Sequence, residues 1–272
     1  MNSKCILHIS DMSVSYGDNH VINNLDLSIN SGELTALIGN NGCGKSTLIK
    51  AVMQLIPYTG TCEILNSHQF HDTGFIPLKN MSVKKRASFI SYIPQRIGIN
   101  MDMSVMDVCL MGYNSKINFL NSYTGKMKNE VINALEAVGL KDIHEHNFLS
   151  LSEGQKQLCI LARTLIENAP VMLLDEPDSS LDFSNKYRLM KKIKALINSE
   201  TAALICIHDP ALALNFCDRI ILMKNGHLAG EIRPATSTLE EINSKMSIIF
   251  DDIFISRCND NDNKEHLCIM MR

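Results

Sequence analysis

Hydrophobic and polar residues alternate along the first third of the chain in a way that predicts strands. In the segment NLDLSIN, Leu25, Leu27 and Ile29 alternate with polar residues, which is the period of a half-buried strand. Residues 34–38 are apolar enough to predict a fully buried strand that runs into a glycine-rich segment. Residues 61–65 predict a further strand.

Helical spacing follows the glycine-rich segment. Leu48, Ala51, Val52 and Leu55 fall on one helical face, and Pro57 closes that segment. Residues 98–150 predict a mostly helical insert, with helical spacing over residues 127–138. Strand-like runs then return, separated by helical segments, at residues 171–174, 202–207 and 220–223. This alternation predicts an α/β fold with a mainly parallel core sheet.

The pattern changes again after Pro234. A short helix is predicted, with a capping box formed by Ser237 and Glu240 or by Thr238 and Glu241. Two short strands are predicted at residues 250–255 and 266–271. The resulting division has residues 1–97 and 151–234 as a core, residues 98–150 as an inserted helical subdomain, and residues 235–272 as a small α/β appendage.

Composition narrows the class of protein. The 272 residues are 45% hydrophobic and 20% charged, which suits a globular protein with a full core. A net charge of −3 and a pI near 6.3 argue against a dedicated nucleic-acid binder, so we interpret the basic run at residues 84–86 as a solvated helix face. No apolar run approaches the ~18 residues of a membrane span, so any membrane role is expected to come through a partner.

Cysteine and histidine patterns give no metal site. Nine cysteines, an odd number without a C-x-x-C pair, predict reduced and mostly buried thiols. His68 and His71, and likewise His144 and His146, have no supporting ligands at metal-site spacing and are interpreted as surface residues.

The glycine-rich segment fits the phosphate-loop pattern G-x-x-x-x-G-K-[ST] between a strand and a helix. Its backbone N–H groups and the helix N-terminus favour phosphate, Lys45 is expected to reach the β- and γ-phosphates, and Ser46 to bind Mg²⁺. Cys43 is either a small residue that fits or, as we prefer, a thiol whose alkylation would block the nucleotide. The predicted nucleotide-binding residues are Gly39, Asn40, Asn41, Gly42, Cys43, Gly44, Lys45, Ser46 and Thr47.

A second motif, VMLLDEP at residues 171–177, is an apolar strand that ends in two carboxylates. The carboxyl end of such a strand is where α/β sheets place their active sites. Asp175 suits Mg²⁺, and Glu176 is the candidate general base for a water that attacks the γ-phosphate. An isolated acidic pair would be interpreted as solvated; one that follows a phosphate loop is not.

The segment Leu151-Ser152-Glu153-Gly154-Gln155 opens a helix with Ser152 as N-cap and an apolar face of Leu158, Leu161, Ala162 and Leu165. In this order, the loop, this segment and the D-E strand resemble the ATP-binding-cassette (ABC) ATPases. The resemblance covers about the first 230 residues. Tyr16 is similar to the aromatic residue that stacks on adenine, and Gln95 is similar to the glutamine that senses Mg²⁺ and the attacking water. His208 is similar to the histidine that contacts the γ-phosphate. Ser180-Leu181-Asp182 is similar to the loop that crosses the dimer interface.

The resemblance implies a P-loop NTPase core, with a RecA-like mainly parallel sheet, an N-terminal antiparallel β part and an inserted helical subdomain. It implies ATP hydrolysis with Mg²⁺, catalysed by Lys45, Gln95, Glu176 and His208, with the metal at Ser46, Gln95 and Asp175. Ser152, Gly154, Gln155 and Asp182 of one copy would complete the ATP site of another in a head-to-tail homodimer. Membrane permease subunits and, indirectly, a substrate-binding protein are the implied partners, at the cytoplasmic face of the membrane.

Within that family the chain is similar to the ATPase subunits of importers for iron–siderophore complexes, haem and cobalamin. Residues 42–45, 104–112 and 208–214 carry this likeness. Two alternatives stay open: a cassette ATPase without a transporter, in DNA repair or iron–sulfur assembly, and a module that holds the nucleotide without hydrolysing it.

Two acids depart from the family pattern. Glu153 stands where the signature L-S-G-G-Q has its first glycine, and Asp178 replaces the threonine that is common after D-E-P. An acid near a helix N-terminus is locally favourable, but Glu153 would also bring negative charge toward the partner's nucleotide. The direction of its side chain decides between the two effects.

Overall fold

The computed structural model describes residues 4–66, 74–117, 122–259 and 265–271, so the His68 and His71 prediction lies outside the described residues. The strands are β1 Cys5–Tyr16, β2 Asn19–Asn30, β3 Leu34–Ile38, β4 Thr59–Leu65, β5 Phe75–Pro77, β6 Ile90–Ile93, β7 Val171–Asp175, β8 Ala202–Cys206, β9 Arg219–Lys224, β10 His227–Ile232, β11 Ile253–Asn259 and β12 Glu265–Met271. The helices are α1 Lys45–Val52, α2 Val83–Arg86, α3 Val105–Leu110, α4 Gly125–Val138, α5 Glu153–Glu167, α6 Phe183–Leu196, α7 Pro210–Phe216 and α8 Leu239–Met246.

The chain divides into two compact units. The first contains Met1–Lys79 and Ile197–Arg272, and the second contains Asn80–Leu196. The predicted domain boundaries after residues 97, 150 and 234 stay a prediction.

Two sheets form the body of the first unit. In one, β3 lies parallel to both β8 and β9, and β10 pairs antiparallel with β9, in the order β10-β9-β3-β8. In the other, the order β2-β1-β4-β5 is antiparallel throughout. Leu25, Leu27 and Ile29 of β2 are buried as their alternation predicts, and all five residues of β3 are buried. Both the parallel strands and the N-terminal antiparallel part are therefore confirmed.

The second unit is mostly helical. The strands β6 and β7 pair in parallel, with Ile93 opposite Leu174, and α5 contacts α3, α4, α6 and β6. Because so many elements surround α5, its buried residues extend around the helix and include Gln157, Cys159 and Ile160. The buried surface is therefore wider than the apolar face named from the sequence, of which Leu161 and Ala162 are buried and Leu158 and Leu165 are half-buried.

The first helix is shorter than its apolar spacing suggests. Leu48, Ala51 and Val52 are buried on α1, but the helix ends at Val52 and Leu55 lies beyond it, 59% exposed. Gln54, in the left-handed region at φ +57°, breaks the helical path between them. The predicted membership of Leu55 in the helical face is wrong for this reason.

The C-terminal segment forms the predicted helix and strand pair. Thr238 caps α8, and Glu241 completes the capping box, so the Thr238 alternative is the correct one. The first strand begins at Ile253 rather than at Phe250, and β11 pairs antiparallel with β12. Asn243 of α8 donates its amide to the carbonyl of Ile255 (2.8 Å) and accepts from the N–H of the same residue (2.7 Å), which fastens the strand pair to the helix.

Cysteine usage differs from the prediction at one place. Cys258 and Cys268 form a disulfide between β11 and β12, where the antiparallel register brings their Cα atoms to 6.3 Å, a separation that a disulfide can bridge. The other seven cysteines are thiols outside any disulfide, and all but the half-buried Cys5 are buried, as predicted. Within the described ranges we find no helix with the length and apolarity that crossing a bilayer requires.

Candidate functional site

The phosphate loop of the first unit joins β3 to α1. Gly42 and Gly44 have φ angles of +78° and +113°, a region that favours glycine. A side chain on Gly39 would collide with the backbone carbonyl of Met223, and one on Gly44 would lie 2.7 Å from the Met223 methyl group. The backbone can therefore curl at these positions only because they lack side chains, and the curl directs successive N–H groups toward an anion.

Lys45 is the first residue of α1 and is 5% exposed. Its ammonium group donates to the carbonyl of Gly39 at 2.8 Å, so the side chain folds back over the loop that it follows. Ser46 and Thr47 come next on the helix and are half-buried. The positive end of the helix and the lysine thus point at the same loop, which suits the phosphates of a nucleotide.

His208 lies at the same edge of the parallel sheet as this loop. The register of β3 and β8 pairs Leu37 with Cys206, so Gly39 and His208 both come two residues after a paired position. Asp209 caps α7 by accepting from the backbone N–H of Ala211 at 2.8 Å. His208 therefore lies between the end of β8 and the capped start of α7, and it is exposed.

Gln95 and Glu176 are brought together in the second unit by the register of two parallel strands, β6 and β7. The parallel register pairs Ile93 with Leu174, and each functional residue comes two positions later. The Gln95 Nε2 donates to the Glu176 Oε2 at 2.7 Å. Sequence reasoning named both residues from separate motifs, and the structure places them in direct contact.

Glu176 is also unusual in its backbone. It adopts φ +48°, in the left-handed region, and is only 9% exposed. Such a conformation costs a non-glycine residue about 1–3 kcal/mol and persists where the surrounding structure fixes it. Asp175, one residue earlier, is 3% exposed at the end of β7. β7 thus ends at the buried carboxylate of Asp175, and the backbone turns at Glu176.

Ser152 caps α5 as predicted, and Gln155 completes a capping box that sequence reasoning did not name as one. Glu153, the acid in place of glycine, lies beside them. Its Oε1 accepts from Lys156 Nζ at 2.8 Å, while 55% of its side chain is exposed. The lysine three residues on therefore offsets the negative charge that the departure from the family pattern introduces.

Gly154 contacts the first turn of α6. A methyl group built on Gly154 would lie 3.4 Å from the side chain of Asn185, an ordinary contact. Asn185 in turn bonds Asp182, through its backbone N–H (2.8 Å) and its amide (3.0 Å). Two predicted residues from different motifs, Gly154 and Asp182, are thus linked through a side chain that sequence reasoning missed.

Asp178 is the second acid that departs from the pattern, and it is 4% exposed. Its Oδ2 lies 3.5 Å from the Nζ of Lys186, also in the first turn of α6. Nothing in the sequence spacing identified this lysine, because the chain turns between the two residues. A buried acid two residues after Glu176 therefore has its counter-charge on a neighbouring helix.

Tyr16 ends β1 and is 51% exposed, which leaves its ring open to stack on a flat ligand. A cluster of charged residues lies around β9 and β10, where Arg219 bonds Glu231 (2.7 Å) and Arg233 bonds Glu33 (2.8 Å). Burial acts to raise the pKa of Glu231, but the hydrogen bond and charge of Arg219, together with Arg233, outweigh it and lower that pKa. This cluster supports the sheet and holds none of the predicted site residues.

The family model described as ABC transporter matches residues 22–179, more than half of the chain. The chain belongs to the ABC transporter family. As an ABC ATPase it binds and hydrolyses ATP. The matched segment contains every predicted site residue except Tyr16, Asp182 and His208.

Individual relatives extend the match over most of the ABC ATPase. A probable ABC transporter ATP-binding protein of Cyanophora paradoxa is 34% identical over 90% of this chain and 95% of its own. The petrobactin import ATP-binding protein of Bacillus anthracis is 30% identical over 84% of this chain and 81% of its own. Among solved structures, an inward-facing metal-chelate type ABC transporter superposes with a TM-score of 0.80 at 22% identity, covering 100% of this chain and 98% of the other. That last likeness shows the fold.

Proposed function

We propose that this ABC ATPase energises an importer for iron–siderophore, haem or cobalamin-type cargo. The single observation that carries hydrolysis is the 2.7 Å hydrogen bond between Gln95 and the buried Glu176. The import role is supported by relatives, among them the petrobactin import protein above and the hemin import ATP-binding protein of Photobacterium profundum, 29% identical over 85% of this chain and 80% of its own.

In the proposed chemistry, Glu176 accepts a proton from the water that attacks the γ-phosphate, and Gln95 holds the Glu176 carboxylate in place. Lys45 and His208 hold the γ-phosphate, and Tyr16 stacks on the adenine. Catalysis of this kind depends on positioning and on electrostatic stabilisation of the transferred phosphoryl group.

Mg²⁺ is the cofactor that we propose alongside ATP. The Ser46 hydroxyl, the Asp175 carboxylate and the Gln95 side-chain oxygen are hard oxygen donors, which suits this ion. When bound, Mg²⁺ neutralises charge that develops on the phosphate oxygens.

The proposed assembly is a head-to-tail pair of copies. Each copy has one phosphate loop and one signature segment, so Ser152, Gly154, Gln155 and Asp182 of one copy would close on the ATP held by the other. Membrane permease subunits would bind this pair at the cytoplasmic face of the membrane. A substrate-binding protein would act through the permease.

The test of hydrolysis is steady-state ATPase activity of the full chain, alone and with its permease, over a range of Mg²⁺ and protein concentrations. We expect Mg²⁺-dependent turnover that rises more than linearly with protein concentration in the isolated chain and that falls at least 100-fold in Glu176→Gln. Binding of ATP should survive this substitution. Turnover that persists in Glu176→Gln would contradict the proposed role of Glu176.

Cargo is tested with the permease in proteoliposomes, by adding candidate cargo with its binding protein. Stimulation by a ferric siderophore, haemin or cobalamin supports import of that class. A permease-free chain that turns over fully and never co-purifies with a membrane subunit would instead support the ATPase without a transporter.

A further inference from the structure

The turn that follows β7 is held from outside by an ion pair. Glu176 leaves the strand with a left-handed backbone, φ +48°. Within the turn, Ser179 N–H donates to the carbonyl of Glu176 at 3.2 Å, and Leu181 N–H donates to the carbonyl of Asp178 at 3.1 Å. These two bonds shape the turn, but neither fastens it to a neighbouring element.

The Asp178 carboxylate provides such a fastening. Only 5% of its side chain is exposed, and its Oδ2 lies 3.5 Å from Lys186 Nζ, whose side chain is 26% exposed. Because water screens this pair poorly, the attraction between the two charges is stronger than in a surface pair. The turn is thereby tied to the first turn of α6.

The position of Lys186 supports a specific purpose. Its backbone N–H donates to the carbonyl of Asp182 (2.9 Å), which places it in the N-terminal turn of α6. The dipole of a helix disfavours a cation there. A lysine at this place is therefore favoured by its acid partner and not by the helix itself.

We propose that Asp178 and Lys186 form a positioning pair that holds the Glu176 carboxylate against Gln95 for the attack of water. The pair touches neither ATP nor the reacting atoms; it acts through the backbone of the turn. The inference rests on the proposed function, in which Glu176 is the general base. It gives a role to Asp178, which stands where the family pattern commonly has threonine. Lys186 supplies the positive charge that stabilises this buried acid.

The experiment measures kcat and KM for ATP in the assembly in which the wild-type chain hydrolyses ATP, at a temperature where each variant is folded. We expect Lys186→Met and Asp178→Asn each to lower kcat about tenfold, because small displacements of a catalytic group are costly. The KM for ATP should change less than about twofold, since the phosphate loop is untouched. Lys186→Arg should keep most of the wild-type kcat, because it restores a cation at this place.

The double variant Asp178→Asn/Lys186→Met should be no slower than either single variant, since both remove the same interaction. Lys191→Met, an exposed lysine on the same helix, is the matched control and should leave kcat unchanged. Variants that unfold more easily but hydrolyse with wild-type kcat would show a purely structural pair and overturn the proposal. So would a double variant whose loss of kcat is the product of the two single losses.

Glu176→Gln, measured in parallel, separates the two proposals. If it keeps turnover, the proposed function of Glu176 fails. If it loses turnover while Lys186→Met and Asp178→Asn keep theirs, the positioning pair alone fails.

Discussion

Glu153 and Asp178 both add a negative charge where the family pattern has a neutral residue, and both lie near a lysine, but their surroundings differ. Glu153 has 55% of its side chain in solvent and lies 2.8 Å from Lys156 on the same helix. Asp178 has 5% exposed and lies 3.5 Å from Lys186 on another element. The longer distance belongs to the more deeply buried acid.

Exposure, and not distance, is expected to decide what each pair does. An exposed pair is screened by water and contributes about 0–1 kcal/mol. An acid removed from water keeps its charge at low cost only while its partner remains. The Glu153 pair therefore adjusts a local charge, whereas the Asp178 pair holds two elements together.

The largest expected effect is the difference in stability between the Lys186→Met and Lys156→Met variants. We expect Lys186→Met to lower the free energy of unfolding by about 2 kcal/mol, between the ~0–1 kcal/mol of exposed pairs and the ~3–5 kcal/mol of fully buried ones. Lys156→Met should cost less than about 1 kcal/mol. Urea unfolding of the two variants measures the difference. Equal losses would contradict the importance of exposure.

Gly154→Ala tests the segment that carries the exposed pair. The added methyl group meets Asn185 at an ordinary 3.4 Å, and alanine favours helix, so stability should be unchanged or rise by up to about 1 kcal/mol. Turnover should nevertheless fall about tenfold (~1.4 kcal/mol), because the methyl group stands where the partner's nucleotide is proposed to approach.

The matched control for this substitution is Gly125→Ala, at the start of α4, where an added methyl group would have nothing within 4 Å. It should leave turnover unchanged. A Gly154→Ala chain that is as active as the wild type would remove Gly154 from the proposed ATP site.

Lys156→Met should have a smaller effect on turnover. It leaves the Glu153 charge without Lys156. The repulsion between that charge and a unit negative charge on the nucleotide, about 8 Å away in a solvent-like environment, is about 0.5 kcal/mol. We expect a two- to threefold fall in activity at low salt that shrinks as salt is raised. In a Glu153→Gly chain the same substitution should change little. A loss that is independent of salt would point to packing of the lysine stem instead.

A small effect on stability is expected for a carboxyl of intermediate exposure, Glu231, whose side chain is 40% exposed beside Arg219. Its pKa is lowered in the folded chain, so its contribution to stability is present above the unfolded pKa of about 4.3 and is lost as the pH falls through the folded pKa. Solvent screening limits that contribution to at most about 1 kcal/mol. The free energies of unfolding of Glu231→Gln and of the wild type should therefore converge as the pH is lowered. A difference between them that widens would contradict the lowered pKa of Glu231.

Motif and period together predicted much of the fold and the site. A mostly apolar run predicted β3 to the residue. Gln95 and Glu176 were named from separate motifs, and the parallel register of β6 and β7 brings them into contact. The Glu153–Lys156 pair could have been found from its spacing of three on a predicted helix.

Other features depend on tertiary structure and could not be predicted. Asp178 and Lys186 are eight positions apart across a turn, so no period joins them. The early end of α1 follows from a left-handed residue at Gln54, which leaves Leu55 in solvent although its spacing suits the helix. The cysteine pair depends on the register of two strands, which sets Cys258 and Cys268 within reach of one another.

The C-terminal segment is not a removable extension. Asn215, on the helix that starts two residues after His208, donates to the carbonyl of Leu267 at 3.0 Å, and α8 packs on β10 with Ile242 and Met246 fully buried. A chain shortened at Pro234 would uncover the apolar surface under α8 and take a hydrogen-bond acceptor from α7. Deletion of the tail is therefore a poor shortcut to a minimal ATPase, and an affinity tag is better fused with a spacer than attached directly to β12.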